Sequence, residues 1–406
     1  MKKILELKKW VGERAEQIIG WDELEKKIKA GQKIKIKYGA DPSKPDLHLG
    51  HAVELRVMRK FQDLLDAEVQ FLIGDFTGRI GDPSGKSKAR QVLDQTEVKA
   101  NALSYAAAVF RILDSDKTSI WANGTKLPFV KDCQGGWWDE MKLNDFLSLL
   151  TLVTHAKLID RDMFQERIKN GQEIYMHEMM YPILQGYDSV MMESDLTIVG
   201  TDQLFNELMG RFFQEKFDQI PQAIITVPLL LGTDGHEKMS KSLGNYIGLE
   251  DKPSQMYGKA MSIPDELIVG WAKLATDLDY KLLAKELDQG SNPRDIKARV
   301  ASDIVRLYYN EDEAEIAATE FNRVFSRNEE PEEMLEIKFL SGQSINLLDC
   351  LTDHKLVASK TDGRRMIEQG AVKIDGDKIL DVNYSFVPVD KSVLRVGKRR
   401  WARFVL

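Results

Sequence analysis

Two short segments carry residues that could bind a polyphosphate. Lys238-Met239-Ser240-Lys241-Ser242 follows the apolar run Ala223–Leu231 and the glycine-bounded turn Gly232-Thr233-Asp234-Gly235. His48-Leu49-Gly50-His51 lies far upstream, immediately before an amphipathic pattern that predicts a helix. Lysine ammonium groups neutralise phosphate oxygens, and a helix N-terminus also attracts them. Taken alone, a loop rich in lysine and serine is more typical of solvated surface, but the pair of segments predicts activation of a carboxylic acid by ATP.

The two histidines are three residues apart at the predicted helix start, so His48 and His51 share a face. Two imidazole donors can hydrogen-bond phosphate oxygens whose charge grows in the transition state. Gly50 lets a flat ring approach the backbone. A capping histidine beside a core histidine is the alternative interpretation. A zinc site is less well supported, because no third ligand is evident and the metalloprotease spacing is absent.

The two lysines of the second segment, Lys238 and Lys241, are predicted to be countercharges for departing pyrophosphate. A loop can bring them to the nucleotide only when the triphosphate is bound, so their binding energy is realised late. Lys86 and Arg90 lie in the glycine-rich loop Thr77–Arg90 and could contact the same pyrophosphate from the other side. Each of them, taken alone, is more typical of a solvated surface.

The composition is that of a globular protein: 406 residues, 43% hydrophobic and 30% charged. This length predicts two or three domains. The net charge of −7 argues against nucleic-acid binding over the whole surface, yet residues 345–406 carry twelve Lys and Arg against eight Asp and Glu. That tail predicts one local polyanion site. No apolar run reaches the ~20 residues that span a membrane. Cys133 and Cys350 fit no disulfide framework, so we expect a cytoplasmic protein.

Strand and helix patterns alternate in the first half of the chain. Lys33–Tyr38 alternates as a strand does, a helix is predicted over 49–65, and an apolar strand over 69–74. This βαβ order predicts an α/β fold with a parallel sheet. The predicted organisation is a catalytic domain at 1–247 with a helical insertion at about 125–193, a helical domain at 248–328, a linker at 329–344 and a small α+β domain at 345–406.

Together with further motifs, the two segments make the chain resemble bacterial tyrosyl-tRNA synthetases, which are class I aminoacyl-tRNA synthetases. The histidine segment resembles the first class signature, and Lys238–Ser242 matches the second without a change. Four other segments agree with the family: Gly39–Ser43, Ile80–Gly85, Tyr181–Asp188 and Gly200–Gln203.

The resemblance implies a Rossmann-like catalytic domain, followed by a helical domain and an S4-like RNA-binding domain. It implies that L-tyrosine and ATP give tyrosyl-adenylate and pyrophosphate, and that the tyrosyl group is then transferred to tRNA(Tyr). Mg²⁺ is expected to accompany ATP without a dedicated protein site. A homodimer is also implied, with its interface in the inserted helices around 135–190.

The resemblance also assigns residues to the substrates. Tyr181, Gln185 and Asp188 fall at i, i+4 and i+7, hence on one helix face. The carried-over roles are Asp82, Tyr181 and Gln185 for the α-amino group, Asp188 for the phenolic hydroxyl, Asp41 for tyrosine, Asp202 and Gln203 for ribose and carboxylate, Ser43 with His48 for the γ-phosphate, and Gly50 and Ser242 for ATP.

One position departs from the family pattern. Many members carry a tyrosine where this chain has Lys37, which we expect either to reach the substrate phenol or to pair with Asp75. The tyrosine assignment depends on Asp188, since phenylalanine would leave that carboxylate unpaired. A tryptophanyl enzyme is the nearest alternative, and a non-catalytic RNA-binding paralogue is the second. Asp188 with the basic tail argues against the first, and the intact histidines and lysines argue against the second.

The tail segment Lys360–Gly376 resembles an S4 module. A basic helix is predicted to stop at Gly370, and Asp375-Gly376 predicts a hairpin turn. A solvated basic tail is the alternative. The residues expected to neutralise tRNA phosphates are Lys360, Arg364, Arg365 and Lys373.

Overall fold

The computed structural model describes residues 2–42, 47–83, 95–128, 130–326, 330, 334–340, 342–397 and 400–406. They divide into two units, residues 1–311 and 312–406. No helix within these described ranges is long and apolar enough to cross a membrane. Among the predicted site residues, Ser43, Lys86 and Arg90 lie outside the described residues, as does the side chain of Ser242.

A seven-stranded sheet organises the first unit, in the order β1-β7-β6-β2-β3-β4-β5. Every neighbouring pair is parallel except β1 with β7. All residues of β6 and β7 are buried, as expected for parallel strands that are covered on both faces. The strands are β1 (Gln17–Ile19), β2 (Lys35–Ala40), β3 (Glu68–Ile73), β4 (Thr118–Ala122), β5 (Gln134–Gly135), β6 (Leu196–Gly200) and β7 (Ala223–Val227).

The strand order reverses between β2 and β6, because β3 to β5 are added on one side of β2 and β6 and β7 on the other. In open α/β sheets, ligands bind outside the carboxyl ends of the strands at such a point. The histidine segment follows β2 and Asp202 follows β6. The topology therefore brings two distant parts of the sequence to one edge of the sheet, and the predicted α/β class with a parallel sheet is confirmed.

Fifteen helices of the described chain lie in the first unit, and four short 3-10 turns accompany them. The predicted helix over 49–65 has those bounds, and the predicted insertion is helical throughout much of its length. The helices are α1 (Lys2–Arg14), α2 (Trp21–Lys29), α3 (Leu49–Leu65), α4 (Thr77–Ile80), α5 (Gln95–Val109), α6 (Trp137–Glu140), α7 (Leu143–Leu150), α8 (His155–Ile159), α9 (Asp162–Lys169), α10 (Met176–Met191), α11 (Leu204–Lys216), α12 (Pro253–Met261), α13 (Ile268–Ala275), α14 (Tyr280–Asp288) and α15 (Pro293–Tyr308).

Helices α12 to α15 belong to the same unit as the sheet. Arg56 of α3 pairs with Asp277 at 2.6 Å, and Arg111 donates to the carbonyl of Leu249 at 2.8 Å. These contacts connect the helical segment to the sheet-covering helices. The domain boundary predicted between residues 247 and 248 thus lies inside the first unit.

The second unit contains a five-stranded sheet in the order β11-β10-β13-β14-β8 and a two-stranded sheet of β9 and β12. The predicted linker at 329–344 is wrong in one part, because residues 335–338 form β8, which pairs in parallel with β14. The elements are α16 (Glu311–Ser326), which begins at the unit boundary, β8 (Leu335–Lys338), β9 (Ile345–Asn346), α17 (Leu347–Asp353), α18 (Lys360–Glu368), β10 (Val372–Ile374), β11 (Asp377–Lys378), β12 (Ser385–Phe386), β13 (Val393–Val396) and β14 (Arg400–Val405).

The predicted end of the basic helix and the predicted hairpin are both present in this unit. Gly370 follows α18 with a φ of +65°. Asp375 and Gly376 join β10 to β11 with positive φ angles of 50° and 92°, which the tight hairpin turn requires. These local features were correctly predicted because turn residues act through their own backbone.

Candidate active site

A cavity of about 390 Å³ lies in the first unit at the carboxyl ends of β2 and β6. Its walls combine residues from segments that are up to 204 positions apart in sequence. The structure thus brings together the described residues that were predicted to bind ATP or tyrosine. Those that line it are Lys37, Asp41, His48, Gly50, His51, Asp82, Tyr181, Gln185, Asp188, Asp202, Gln203, Lys238 and Lys241.

The two histidines cap helix α3, and this fixes their tautomers. The backbone N–H of Gly50 donates to His48 Nδ1 at 3.1 Å, and the N–H of His48 donates to His51 Nδ1 at 3.3 Å. Because a backbone N–H can only donate, neither Nδ1 carries a proton. Each neutral ring therefore holds its proton on Nε2, where it can be donated to a phosphate oxygen.

Burial keeps His51 neutral. It lowers the pKa of His51 to about 4, and the nearby charge of Lys241 contributes in the same direction. The space beside Gly50 is filled by the imidazole of His48, since a Cβ at Gly50 would lie 2.9 Å from that ring. The flat ring that approaches the backbone at Gly50 in this structure is that of His48.

The chain that follows the lysine segment pairs with the chain that precedes α3. Leu49 N donates to Ile247 O and Leu249 N donates to Leu47 O, each at 3.0 Å. His48 and Gly248 consequently form an isolated antiparallel bridge. This pairing holds residues 247–249, which follow the lysine segment, beside the start of the histidine helix.

The lysine segment has one buried anchor and two cationic side chains at the cavity. Met239 is buried, and its N–H donates to Leu230 O at 2.9 Å. Lys238 Nζ lies 3.1 Å from the carboxylate of Asp202, with both side chains partly exposed. Lys241 Nζ lies 5.8 Å from the ring centre of Tyr246. Within the described residues, no group of three His, Cys, Asp or Glu side chains could hold a metal ion.

Asp188 lies at the deep end of the cavity and is 2% exposed. Trp137 and Trp138 donate their indole N–H groups to its Oδ1 at 2.9 and 2.8 Å, and Asn123 donates to Oδ2 at 3.1 Å. Burial raises the pKa of Asp188 to about 7, against the charge of Lys37 and these three donors. Such a carboxylate can accept one further hydrogen bond, which suits a phenolic hydroxyl.

The middle of the cavity presents acceptors. Tyr181 donates its hydroxyl to Asp41 Oδ2 at 3.0 Å, which leaves its oxygen free to accept from a ligand. Burial, followed by the charges of Asp41 and Asp82, raises the pKa of Tyr181 well above its usual value, so it stays neutral. Gln203 donates to Asp82 Oδ2 at 2.8 Å. A cluster of neutral oxygens with nearby carboxylates suits an ammonium group.

Lys37 does not pair with Asp75, which was one of the two roles predicted for it. Its Nζ lies 2.9 Å from Glu207 and donates to Ser189 Oγ at 2.8 Å. Asp75 instead accepts the backbone N–H groups of Gly124 and Thr125. The other expected role, contact with the substrate phenol, is compatible with the position of Lys37 in the cavity wall.

The second unit carries the basic residues predicted to bind RNA. Arg364 is exposed on α18, while Lys360 pairs with Asp349 and Arg365 with Asp362 on the surface. Lys373 lies on β10, in a groove of the same unit. The groove is also lined by Arg395 and Trp401, whose side chains stack with the guanidinium carbon 4.5 Å from the ring centre.

Comparison with known proteins agrees with this geometry. Residues 29–326 match the family model of class I tRNA synthetases (W and Y), and residues 330–403 match the SYY-like C-terminal domain of tyrosine–tRNA ligases. A tyrosine–tRNA ligase of Thermotoga maritima is 43% identical over 392 residues, 95% of this chain and 94% of that relative. A tyrosine–tRNA ligase 2 of Vibrio cholerae is 44% identical over 395 residues, 96% of each.

This chain belongs to the tyrosine–tRNA ligase family. The crystal structure of a tyrosyl-tRNA synthetase from Archaeoglobus fulgidus, complexed with L-tyrosine, shares the fold with a TM-score of 0.58. It covers 78% of this chain and 100% of that one, at 19% sequence identity. The expected fold class and family are thereby confirmed.

Several residues that line the cavity or contact Asp188 were not predicted from the sequence. Glu54 follows His51 by three positions and Glu207 follows Gln203 by four, so helix periodicity could have identified both. Asn123 directly follows β4 at the ligand-binding edge of the sheet. The Trp137-Trp138 pair carries no comparable signal, since adjacent residues of a helix ordinarily point in different directions.

Proposed function

We propose that the chain activates L-tyrosine with ATP to tyrosyl-adenylate and pyrophosphate, and then charges tRNA(Tyr). The observation that carries this proposal is the cavity itself. It joins two imidazole donors and two lysines at one end to a buried, hydrogen-bonded carboxylate, Asp188, at the other. The tyrosine–tRNA ligase names of full-length relatives support tyrosine over the tryptophan alternative.

In the first step, a carboxylate oxygen of tyrosine attacks the α-phosphorus of ATP. The bond between that phosphorus and the oxygen that bridges the α- and β-phosphates breaks, and pyrophosphate leaves with the electron pair of this bond. The substrate carboxylate is already ionised, so no general base is needed, and catalysis consists of positioning and charge stabilisation. The Nε2–H groups of His48 and His51 donate to phosphate oxygens, and Lys238 and Lys241 neutralise the pyrophosphate. ATP enters with Mg²⁺ as part of the substrate.

The remaining predicted contacts complete the proposed site. Asp82, Tyr181 and Gln185 surround the ammonium of tyrosine. Asp41 orients Tyr181 through their hydrogen bond. The other assignments that we retain are Asp202 and Gly50 for the nucleotide, Gln203 for the substrate carboxylate, and Ser43, Lys86, Arg90 and Ser242 for the phosphates.

In the second step, a ribose hydroxyl of the 3′-terminal adenosine attacks the acyl carbon of tyrosyl-adenylate, and AMP leaves. We assign tRNA binding to the second unit, through Lys360, Arg364, Arg365 and Lys373. Exposed Lys and Arg side chains in that unit can neutralise backbone phosphates. The exposed position of Arg364 and the aromatic groove beside Lys373 support this assignment.

We also propose a homodimer that associates through the helical insertion. Large apolar side chains are exposed there, and contiguous exposed apolar surface is typical of an interaction site. Sedimentation velocity should show a dimer that Leu143→Glu with Met176→Glu converts to a monomer, whereas Leu5→Glu, outside the insertion, should not. The exposed residues of the insertion include Leu143, Leu147, Ile168, Tyr175 and Met176.

A cytoplasmic location is proposed on chemical grounds. The substrates ATP and tRNA are intracellular, and the only cysteines in the sequence, Cys133 and Cys350, are free thiols. Free thiols are expected in a reducing compartment.

Isotopic pyrophosphate exchange tests the proposed reaction. With all twenty amino acids offered singly, exchange should depend on ATP and be stimulated by L-tyrosine. Stimulation by tryptophan without tyrosine would instead support the tryptophanyl alternative. The absence of exchange with every amino acid would favour a non-catalytic RNA-binding protein.

A further inference from the structure

A buried ion pair lies behind the tyrosine end of the cavity. Lys37 Nζ is 2.9 Å from Glu207 Oε2, and each side chain is 2% exposed. Two ions removed from water are tolerated only when they are paired and further hydrogen-bonded. Lys37 donates to Ser189 Oγ at 2.8 Å, and Gln222 donates to Glu207 Oε2 at 2.9 Å. The pair therefore has the contacts of a specific structural feature, and both its members line the cavity.

Glu207 also determines how Gln185 faces the substrate. Gln185 Nε2 donates to Glu207 Oε1 at 2.8 Å, while Gln185 Oε1 accepts from Asn206 Nδ2 at 2.9 Å. An ionised carboxylate has no proton to donate, so only the NH₂ side of the Gln185 amide can face Glu207. The amide oxygen is then the group that remains for an ammonium, since its second lone pair is available. The reverse amide orientation would present donors to a donor.

The same hydrogen-bond chain continues to Asp82. Asn206 Nδ2 also donates to Gln203 Oε1 at 2.8 Å, and Gln203 Nε2 donates to Asp82 Oδ2 at 2.8 Å. Each amide in this chain is fixed by its neighbour. The chain ends on two carboxylates that can only accept, Glu207 beside Gln185 and Asp82 beside Gln203.

We propose that Glu207 is a positioning residue for tyrosine, which holds the Lys37 ammonium at the phenol end and the Gln185 oxygen at the amino end of the substrate. This inference rests on the proposed function, since it assigns those two ends to tyrosine. At the phenol end, the positive charge of Lys37 favours the ionised form of Asp188. Glu207 thus acts at both ends of the substrate without touching the reacting atoms.

The test compares two ligands in the full-length protein. Glu207→Gln keeps the shape of the side chain but removes its charge and makes it a possible donor. Calorimetric titration should show that the Kd of L-tyrosine rises about tenfold, because a buried hydrogen-bonded group is left mispaired. The Kd of 3-(4-hydroxyphenyl)propionate, which lacks the ammonium, should rise less. The KM of ATP should stay within about twofold of wild type.

A matched control removes a different buried acid. Asp303 is buried and pairs with Arg306 at 2.6 Å, and it does not line the cavity. Asp303→Asn should therefore leave the Kd of tyrosine unchanged, even if thermal stability falls. Glu207→Gln leaves Lys37 unpaired and could fail to fold. In that case the double variant Lys37→Gln with Glu207→Gln removes both charges. It should show the same ranking of effects: the Kd of tyrosine rises most, the Kd of the propionate rises less, and the KM of ATP changes least.

Three outcomes would overturn the proposal: an unchanged Kd of tyrosine in the Glu207 variants, an equal loss for tyrosine and the propionate, or an equal loss for tyrosine and ATP. The last two would indicate general disruption of the site. Failure of the wild-type protein to bind tyrosine at all would contradict the proposed function instead, so the two failures are distinguishable.

Discussion

His48 and Gly248 form an antiparallel bridge, which places the chain that follows the lysine segment beside the first residue of the histidine helix. The two segments that carry the phosphate-binding groups are thereby connected through the backbone, independently of any ligand contact. The bridge explains how motifs separated by almost half the chain come to line a single cavity. It anchors the backbone a few residues after Lys241 beside the start of the helix that carries His51.

Replacing His48 should slow adenylate formation without weakening tyrosine binding. Loss of one transition-state donor should reduce the rate constant on the order of 100-fold in single-turnover measurements. His48 also caps α3. His48→Ala removes both the donor and the cap. His48→Asn should be compared with it, since asparagine can keep the cap. A rise in the tyrosine Kd as large as the loss of rate would contradict the assigned role.

Tyrosine binding should strengthen as pH rises through about 7. Burial raises the pKa of Asp188 to about 7, so its carboxyl is protonated below this pH and ionised above it. The ionised form accepts the phenolic hydrogen bond more strongly. Asp188→Asn should abolish this step in the pH profile of the tyrosine KM and reduce the preference for tyrosine over phenylalanine. Unchanged selectivity in the variant would show that the phenol is bound elsewhere.

ATP binding should weaken as pH rises through about 8, because Glu54 ionises. Burial raises the pKa of Glu54 to about 8, opposed by its hydrogen bond with Tyr38 and reinforced by Asp202. Glu54 also lines the cavity with His51, Lys238 and Lys241. An added negative charge there repels the triphosphate.

The KM of ATP should therefore rise about fivefold from about pH 7 to about pH 9 in the wild type. Glu54→Gln, which cannot ionise, is the control and should show a flat profile over the same interval. A pH dependence of equal size in both proteins would exclude Glu54 as its source.

Reversing charge on α18 should impair tRNA charging alone. Arg364→Glu with Arg365→Glu should raise the KM for tRNA(Tyr) about tenfold or more, since each phosphate contact contributes to affinity. Pyrophosphate exchange should be unaffected. As a control, Lys2→Glu with Lys3→Glu makes the same change in net charge on two exposed residues of the first unit. This variant should alter neither tRNA charging nor pyrophosphate exchange. Equal loss of charging and exchange would argue against a separate RNA-binding unit.

The parts of this structure that depend on local sequence could be predicted. Helix α3 has its predicted bounds because apolar periodicity and a capping residue are both local, and Asp375-Gly376 forms the predicted turn because backbone conformation is local. Strand β8 was missed because β14, the strand with which it pairs, is more than 60 residues away in sequence.

Only the local features of the candidate site could be predicted in the same way. Motif spacing identified residues that line the cavity, but it did not identify the partners that orient them. Lys37 was expected either to reach the substrate phenol or to pair with Asp75, and neither expectation identified its ion-pair partner Glu207, which lies on a helix 170 positions later. Asn123 and the Trp137-Trp138 pair belong to two separate segments that both donate to Asp188, and nothing in their spacing predicts that they meet there.

A crystal structure with a non-hydrolysable tyrosyl-adenylate analogue is the most direct test of the shared nucleotide site. We expect the phenol at Asp188, the ammonium beside Tyr181 and Gln185, and the phosphate end between His48 and the lysine segment. An analogue bound away from either the histidines or the lysines would show that the two segments do not form one nucleotide site.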